Sequence, residues 1–348
     1  MNDEGGHTVA TPKRAYAIVG AGAIGGTLGH HLARAGHPVT VVDADPEHVR
    51  RIDADGLTLL RGAERSQAVV TLAVTPDADG PPGRLERVLL AVKAQATARA
   101  LDWIAPRLAE DGFVVSLQNG LNEEAIAGRI GRHRTVGAFV NLFADVIGPG
   151  EIRDGGPGAL VVGELDGRDS RRVREVVDDL QAWGPARATG NVSGYLWSKL
   201  GFGAMLVATA LADAPMAELI DRHRPVMHAL VAEIYAVAGA EGITLEPFDA
   251  FDPLPYAGAD EAAKQQATDV LVGWLRTQAK DRSGIWRDIA VRRRPTEVPT
   301  HYRPVLATAA RHGIPVPGLE RLVAQIGELE TGAAMDEARI DALTGALR

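Results

Sequence analysis

The amino-acid sequence predicts an α/β protein, with a doubly wound, mostly parallel sheet in the first half and an all-α second half. Three observations carry that expectation. Short apolar β-like runs alternate with helical patterns up to about residue 190. Three glycines, Gly20, Gly22 and Gly25, fall between the first such run and the first helix. From Tyr195 onward the pattern is helical nearly to the end, and β-like runs are almost absent.

The first unit spans Tyr16 to Asp43. Tyr16–Val19 reads as a strand, and Ile24, Leu28 and Leu32 share one face of a helix that stops near Gly36. Val39–Val42 is a second strand, ending on Asp43. Each piece has a task if a dinucleotide binds here. Gly20 makes the tight turn, Gly22 lets backbone approach a pyrophosphate, and Gly25 lets helix and strand pack closely. Ala21, Ala23 and Ile24 complete the turn, and the phosphates would sit on free N–H groups at the helix N-terminus. A carboxylate at Asp43 can accept both ribose hydroxyls of NAD and repels the 2′-phosphate of NADP, so NAD is expected over NADP. The competing reading of Asp43 is a solvated acid or helix cap beside Asp45-Pro46.

Asp45-Pro46 starts a helix that stops near Gly56, and two β segments follow, Leu57–Leu60 and Ala68–Val74, separated by a polar turn over Arg61–Ser66. Pro76–Arg84 reads as a loop. Val88–Val92 and Phe113–Leu117 are continuous apolar runs, as buried parallel strands require, with a helix from about Thr97 to Leu108 between them. Lys93 directly follows the first run, and Gln118-Asn119-Gly120 the second. Such strand ends are where a doubly wound sheet meets its ligand. Thr135–Gly163 carries turn signals between β-like runs and reads as an antiparallel extension of the sheet. Ser170–Trp183 is an amphipathic helix, and a short strand near Ala186–Thr189 closes the first domain. Helices are expected at Val192–Leu211, Met216–Ala240, Asp260–Lys280, Thr300–His312, Leu319–Leu329 and Met335–Leu343. The predicted division is a leader over 1–13, a Rossmann-type domain over 14–190 and a helical domain over 191–348.

Length and composition set the outer limits. A chain of 348 residues is long enough for two domains. A net charge of -8 argues against a nucleic-acid partner or an acidic membrane surface. The absence of cysteine excludes disulfides, thiolate metal sites and cysteine nucleophiles. No apolar run approaches a membrane span, and the polar first residues lack a signal-like core, so a cytoplasmic protein is expected. No metal is expected, since the histidines are scattered and the pair His30-His31 is read as pointing to different sides of one helix.

The helical half should supply acid, base and substrate contacts across a crevice. Lys199 stands in Leu196-Trp197-Ser198-Lys199-Leu200-Gly201-Phe202-Gly203, among apolar and small residues, where desolvation would lower its pKa toward that of a general acid. A second stretch, Arg282–Glu297, mixes arginines with Ser283 and Glu297 and reads equally as a solvated basic face.

Together, IVGAGAIGG at the turn, AVKAQAT and SLQNGLN after the buried strands, LWSKL and RPTEV resemble the ketopantoate reductase family (2-dehydropantoate 2-reductases), from Ala15 to about Leu329. The resemblance implies hydride transfer to the carbonyl of a 2-oxo acid. It implies that Lys199 protonates the reduced carbonyl oxygen, that Glu297 helps to hold the substrate, and that Asn119 lies near nicotinamide and lysine. Lys93 then matches a lysine near cofactor and substrate, and Ser283 falls in the serine-containing segment. By the same analogy a homodimer is expected. Two departures stand out. Positions one and two turns after the lysine, often asparagine in the family, are Gly203 and Val207, which removes polar recognition groups and argues for a bulkier or less hydroxylated substrate. The family also prefers NADPH, whereas Asp43 points to NAD. Alternatives are 2-dehydropantoate 2-reductase proper, a β-hydroxyacid dehydrogenase, and a non-catalytic NAD(H) sensor. The missing glycine-rich segment before the lysine counts against the second of these.

Overall fold

A computed structural model describes residues 13–78, 83–156, 158–278 and 280–345. The expected leader therefore lies, but for its last residue, outside the described residues. Twelve strands are present among the described residues: β1 (Tyr16–Val19), β2 (Val39–Val42), β3 (Leu57–Arg61), β4 (Glu64–Ala68), β5 (Leu72–Val74), β6 (Leu85–Leu90), β7 (Leu108–Ser116), β8 (Thr135–Asn141), β9 (Ala144–Gly148), β10 (Glu151–Asp154), β11 (Ala159–Glu164) and β12 (Ala186–Ala188). Eight of them form one sheet in the order β12-β11-β8-β7-β6-β1-β2-β5. All neighbours in it are parallel except β11 against β8.

Helices α1 (Ala23–Arg34), α2 (Pro46–Asp55), α3 (Thr97–Ile104), α4 (Glu123–Ile130) and α5 (Arg171–Leu180) connect the strands. Apolar cores lie on both faces of the sheet: Ile18, Leu28, Val41 and Val115 belong to one, Val19, Leu90, Ile104 and Ile126 to the other. Two-sided burial is why β1, β6 and β7 read as unbroken apolar runs. Two expectations are corrected. The residues Glu64–Ser66, expected in a turn, belong to β4, which pairs antiparallel with β3 across a tight turn at Gly62 (φ +60°). Because β4 is largely exposed, it carries no apolar alternation to betray it. The stretch Thr135–Gly163 does not simply extend the sheet. β8 joins it in parallel, β11 antiparallel, and the β9–β10 hairpin leaves to complete a second sheet of order β4-β3-β10-β9.

Beyond residue 191 the described residues form no strand, and the α-helices are α6 (Val192–Thr209), α7 (Met216–Arg222), α8 (Arg224–Ala240), α9 (Leu254–Ala257), α10 (Glu261–Arg276), α11 (Gly284–Trp286), α12 (Val298–His312), α13 (Pro317–Glu330) and α14 (Ala338–Gly345). The single helix expected over Met216–Ala240 is two, parted at His223, because Pro225 just beyond has no N–H to continue the ladder and fits the first turn of a new helix. The amphipathic helix α5 is capped by Ser170, whose hydroxyl accepts the Val173 N–H. α6 is buried on all sides and forms the spine of the helical core, which also takes in Phe139 of β8 and Val161 of β11. The helical half is thus built directly onto the sheet's β8–β11 end.

Glu123, the first residue of α4, is buried, and its pKa is raised to about 7, chiefly by desolvation against weaker pulls from backbone N–H groups and Ser116. An acid with a raised folded pKa stabilises the fold below its unfolded pKa and loses that contribution as pH rises toward the folded value. Stability should fall between about pH 4.5 and pH 7, by an amount on the order of 3 kcal/mol. Glu123→Gln should remove most of this slope, so denaturant unfolding at pH 5 and pH 8 would give similar midpoints for the variant and different ones for the parent.

Candidate active site

The carboxyl ends of β2, β1, β6, β7 and β8 lie side by side along one edge of the sheet in that order. The residues following them are, in the same order, Asp43, the Gly20–Gly25 turn, Lys93, Asn119 and the strand's own last residue, Asn141. Points scattered over 120 residues of sequence thereby become one row.

The glycine turn is shaped by close packing. Gly20 has φ +94°, and a Cβ there would stand 2.6 Å from the Val92 nitrogen. At Gly25 a Cβ would run into the Gly20 carbonyl oxygen and stand 2.9 Å from the Ala91 Cβ, so α1 packs hard against β1 and β6. At Gly22, by contrast, nothing lies within 4 Å. The three glycines thus divide into two that permit packing and one that leaves open space at the start of α1, whose first residues are Ala23 and Ile24.

Ala21 is held at both ends. Its N–H donates to Asp43 Oδ2 (2.8 Å), and its carbonyl lies 2.9 Å from His48 Nε2. His48 Nδ1 accepts the Gly150 N–H at 3.0 Å, so the proton sits on Nε2 and donates to Ala21. His48 thus ties the turn to the β9–β10 hairpin of the second sheet. The cap of α2 is Asp45, which accepts the Glu47 and His48 N–H groups, and not Asp43. Asp43 Oδ1 accepts the Asp45 N–H at 3.0 Å, which leaves each Asp43 oxygen a second lone pair.

Lys199 reaches from α6 to this edge. Its ammonium donates to Asn119 Oδ1 (2.7 Å) and to the Val140 carbonyl, and lies 5.4 Å from the Phe139 ring centroid. Burial lowers its pKa to about 8, against a smaller upward pull from Asp249. The small residues of this helix admit two tyrosines: Tyr235 packs on Gly201, and Tyr302 Oη lies 3.0 Å from where a Gly203 Cβ would stand. Their hydroxyls donate to the Ser198 and Leu200 carbonyls, one on each side of Lys199, at 2.9 Å each. Gly203 and Val207, read from the sequence as arguing for a bulkier or less hydroxylated substrate, open no room for a bulkier one. Tyr302 occupies the space beside Gly203, and Val207 is buried in the helical core.

Glu297 and Lys93 form a separate group. Glu297 Oε1 accepts the Ala94 N–H (2.9 Å), Oε2 lies 3.8 Å from Lys93 Nζ, and His301 stands one turn away at 3.7 Å. Burial pulls the Glu297 carboxyl up, but His301, the Ala94 N–H and the Lys93 charge outweigh it and hold it below the usual range. His301 also packs on Gly120 (φ +87°), the residue after Asn119, and so links the two groups. Glu297 therefore bonds to the β6 loop, and among the described residues its partners do not include Lys199. The arginines at 292–294 are exposed, as a solvated face would be, but two of them are also tied to an acid. Arg292 and Arg294 bond Asp288 Oδ1 at 2.8 and 3.0 Å, and Lys93 Nζ is 3.5 Å from Oδ2. Ser283 is buried and caps α11 by accepting the Trp286 N–H at 3.2 Å. The His30 and His31 rings, expected to diverge, meet edge to face at 5.4 Å, and His30 contacts the Leu57 carbonyl and the Ser66 hydroxyl.

His48, Asn141, Asp249 and Asp288 escaped sequence reasoning. Only Asp288 had a local signal, as the acid amid arginines; the others gain their partners from distant segments.

Two family models match the chain: Ketopantoate reductase PanE/ApbA over residues 16–167 and Ketopantoate reductase PanE/ApbA C terminal over residues 191–330. The chain is 31% identical over 251 residues to 2-dehydropantoate 2-reductase of Mesorhizobium japonicum, covering 65% of this chain and 76% of that one. It is 27% identical over 315 residues to the same-named protein of Halobacterium salinarum, covering 88% and 95%. Among solved structures it is similar to a PanE/ApbA family ketopantoate reductase from Ralstonia eutropha, with TM-score 0.76, 28% identity and coverage of 91% and 98%. No helix among the described residues is long and apolar enough to cross a membrane. With a glycine turn, a buried-strand lysine, an asparagine and a helical lysine on one sheet edge, the chain belongs to the ketopantoate reductase family, nicotinamide-dependent oxidoreductases that act on a C=O/CH–OH group.

Proposed function

We propose that this chain reduces a 2-oxo acid other than ketopantoate, with NAD(H) preferred to NADP(H) and Lys199 as the general acid. The observation that carries the reading is the Lys199 ammonium, lowered to about 8 and held against Asn119 in the same row of strand ends as the glycine turn.

The residues present fit a nicotinamide dinucleotide. The open space over Gly22 at the start of α1 suits a pyrophosphate, and Asp43 retains acceptor capacity for ribose hydroxyls while its charge disfavours a 2′-phosphate. When bound, a reduced nicotinamide supplies the hydride. Lys199 directs two of its three N–H bonds to Asn119 and Val140, which fixes the third for a substrate carbonyl oxygen. It stabilises negative charge growing on that oxygen and then gives it a proton. Asn119 holds the ammonium in place, and Tyr235 and Tyr302 brace the helix turn that carries it. Lys93 and Glu297 border the same edge and would meet the cofactor's nicotinamide end and the substrate, and Ser283 would contribute by fixing α11 against α6. A substrate other than ketopantoate is favoured because α6 presents no polar side chain at 203 or 207.

Lys199→Ala should lower kcat for 2-oxo-acid reduction by about a hundredfold or more, the scale of a lost general acid. In the parent enzyme the rate should fall as pH rises through about 8, where the ammonium is lost, and that limb should be missing from the variant's residual activity. Turnover within a few fold of the parent would remove Lys199 from this role. For the cofactor, Asp43→Asn keeps an oxygen for the Ala21 N–H but discards the charge. The NADH over NADPH ratio of kcat/KM should drop by about tenfold, and an unchanged ratio would exclude Asp43 as the discriminator. On a panel of 2-oxo acids, ketopantoate should be surpassed by at least one other member. Efficient NADPH-driven reduction of ketopantoate above all others would overturn both finer claims.

A further inference from the structure

One strand beyond Asn119 the row ends at Asn141, which shares a face of β8 with Phe139 and therefore points toward the helical half. The Asn141 side-chain amide donates to the Asp249 carboxylate. Asp249 stands at the tip of a tight turn closed by Phe248 and Phe251, whose N–H groups donate to each other's carbonyls at 3.1 and 2.8 Å. Both rings are anchored. Phe248 lies 4.9 Å from Phe139, and Phe251 lies 5.2 Å from Phe202 and stacks on Tyr256 at 5.4 Å. The same loop is laced to α6 one residue before Lys199, where the Ser198 hydroxyl accepts the Glu246 N–H at 3.0 Å.

Two aromatic anchors and a bond to α6 thus hold up an exposed acid, and its backbone is left-handed. With φ +46°, Asp249 is one of two non-glycine residues with positive φ among the described residues; Arg293 is the other. Such a conformation persists only where the surroundings enforce it, and it gathers at functional sites. Its hydrogen-bond partner among the described residues is Asn141, which directly follows Val140, the residue whose carbonyl takes the Lys199 ammonium, so the Asp249 charge sits beside the lysine's end of the row.

We infer that Asp249, positioned by Asn141, is the specificity-determining wall of the substrate pocket and selects 2-oxo acids whose far end bears no negative charge. The inference rests on the proposed 2-oxo-acid reductase reading. With the carbonyl oxygen on Lys199, the acid's own carboxylate belongs on the side of Lys93, Lys280, Arg292 and Arg294, where these four cations outnumber the three acids Asp145, Asp288 and Glu297. The remainder of the substrate then extends along the row to Asn141 and Asp249. An alkyl or other uncharged end is accepted there, and a second carboxylate meets a like charge that has no room to retreat, because its turn is pinned. Discrimination arises from a repulsive element and not from added attraction.

The test compares 2-oxohexanoate with 2-oxoglutarate, similar in length and differing in terminal charge. Parent, Asp249→Asn and Asp249→Gly are assayed with NADH and with NADPH. Asn and Gly both tolerate the left-handed backbone, so neither variant depends on strained folding. The parent should favour 2-oxohexanoate in kcat/KM by about tenfold or more, and both variants should shrink that preference by about tenfold. Dissociation constants of the two acids for the cofactor-loaded protein, from titration calorimetry, should move the same way. Turnover by the parent with an unchanged preference in both variants overturns the role of Asp249 alone, as does a parent that prefers 2-oxoglutarate. A parent that neither reduces nor binds any 2-oxo acid overturns the reductase reading, and this inference with it.

Discussion

A positive charge has to be kept at the junction of two apolar bodies, and the rest of the site follows from how that is done. Lys199 belongs to a helix buried on all sides, yet its ammonium must find polar partners. It finds them across the junction, in the Asn119 side chain and the Val140 carbonyl at the ends of β7 and β8. The helix can seat its lysine there only because Gly201 and Gly203 let Tyr235 and Tyr302 pack tightly against it. Those tyrosines are buried, so their hydroxyls must bond as well, and they do so to the carbonyls flanking the lysine. One constraint, the cost of desolvating a charge, accounts for the small residues, the tyrosines and the lowered lysine pKa together.

The glycine turn answers a different constraint. A loop that offers N–H groups to an anion cannot satisfy all its polar atoms internally, so its shape has to be imposed from outside. Asp43 takes the Ala21 N–H and His48 gives a proton to the Ala21 carbonyl. Because His48 also accepts from Gly150, the small second sheet becomes a buttress for the turn. The Asp43 carboxylate therefore braces the turn from within, beside the outward role proposed for it.

Between these two lie Lys93, Asp288 and Glu297, a partly buried ionic cluster that stitches the β6 loop to the segment before α12. Each acid carries the cost of burial and is kept ionised by cations and N–H groups around it. The consequence is a site in which the sheet half and the helical half are joined by charged contacts at the place where cofactor and substrate would meet.

Much of this was legible in the amino-acid sequence because it depends on local rules. Buried parallel strands need continuous apolar runs, so β1, β6 and β7 announce themselves, and a tight turn with close helix packing needs glycine, so the Gly20–Gly25 turn does too. The residues that directly follow such strands, Asp43, Lys93 and Asn119, are found by position alone, and Lys199 by its incongruous apolar surroundings. What the sequence could not show depends on contacts between segments far apart. The strand β4 is exposed and leaves no periodic trace; the β9–β10 hairpin pairs with β3 from nearly a hundred residues away. Tyr302 filling the side of Gly203, His48 bracing Ala21 and Asn141 holding Asp249 all join groups whose neighbours in sequence say nothing of one another. Local chemistry determined which residues could bind and react; only the packing of one half against the other decided which of them meet.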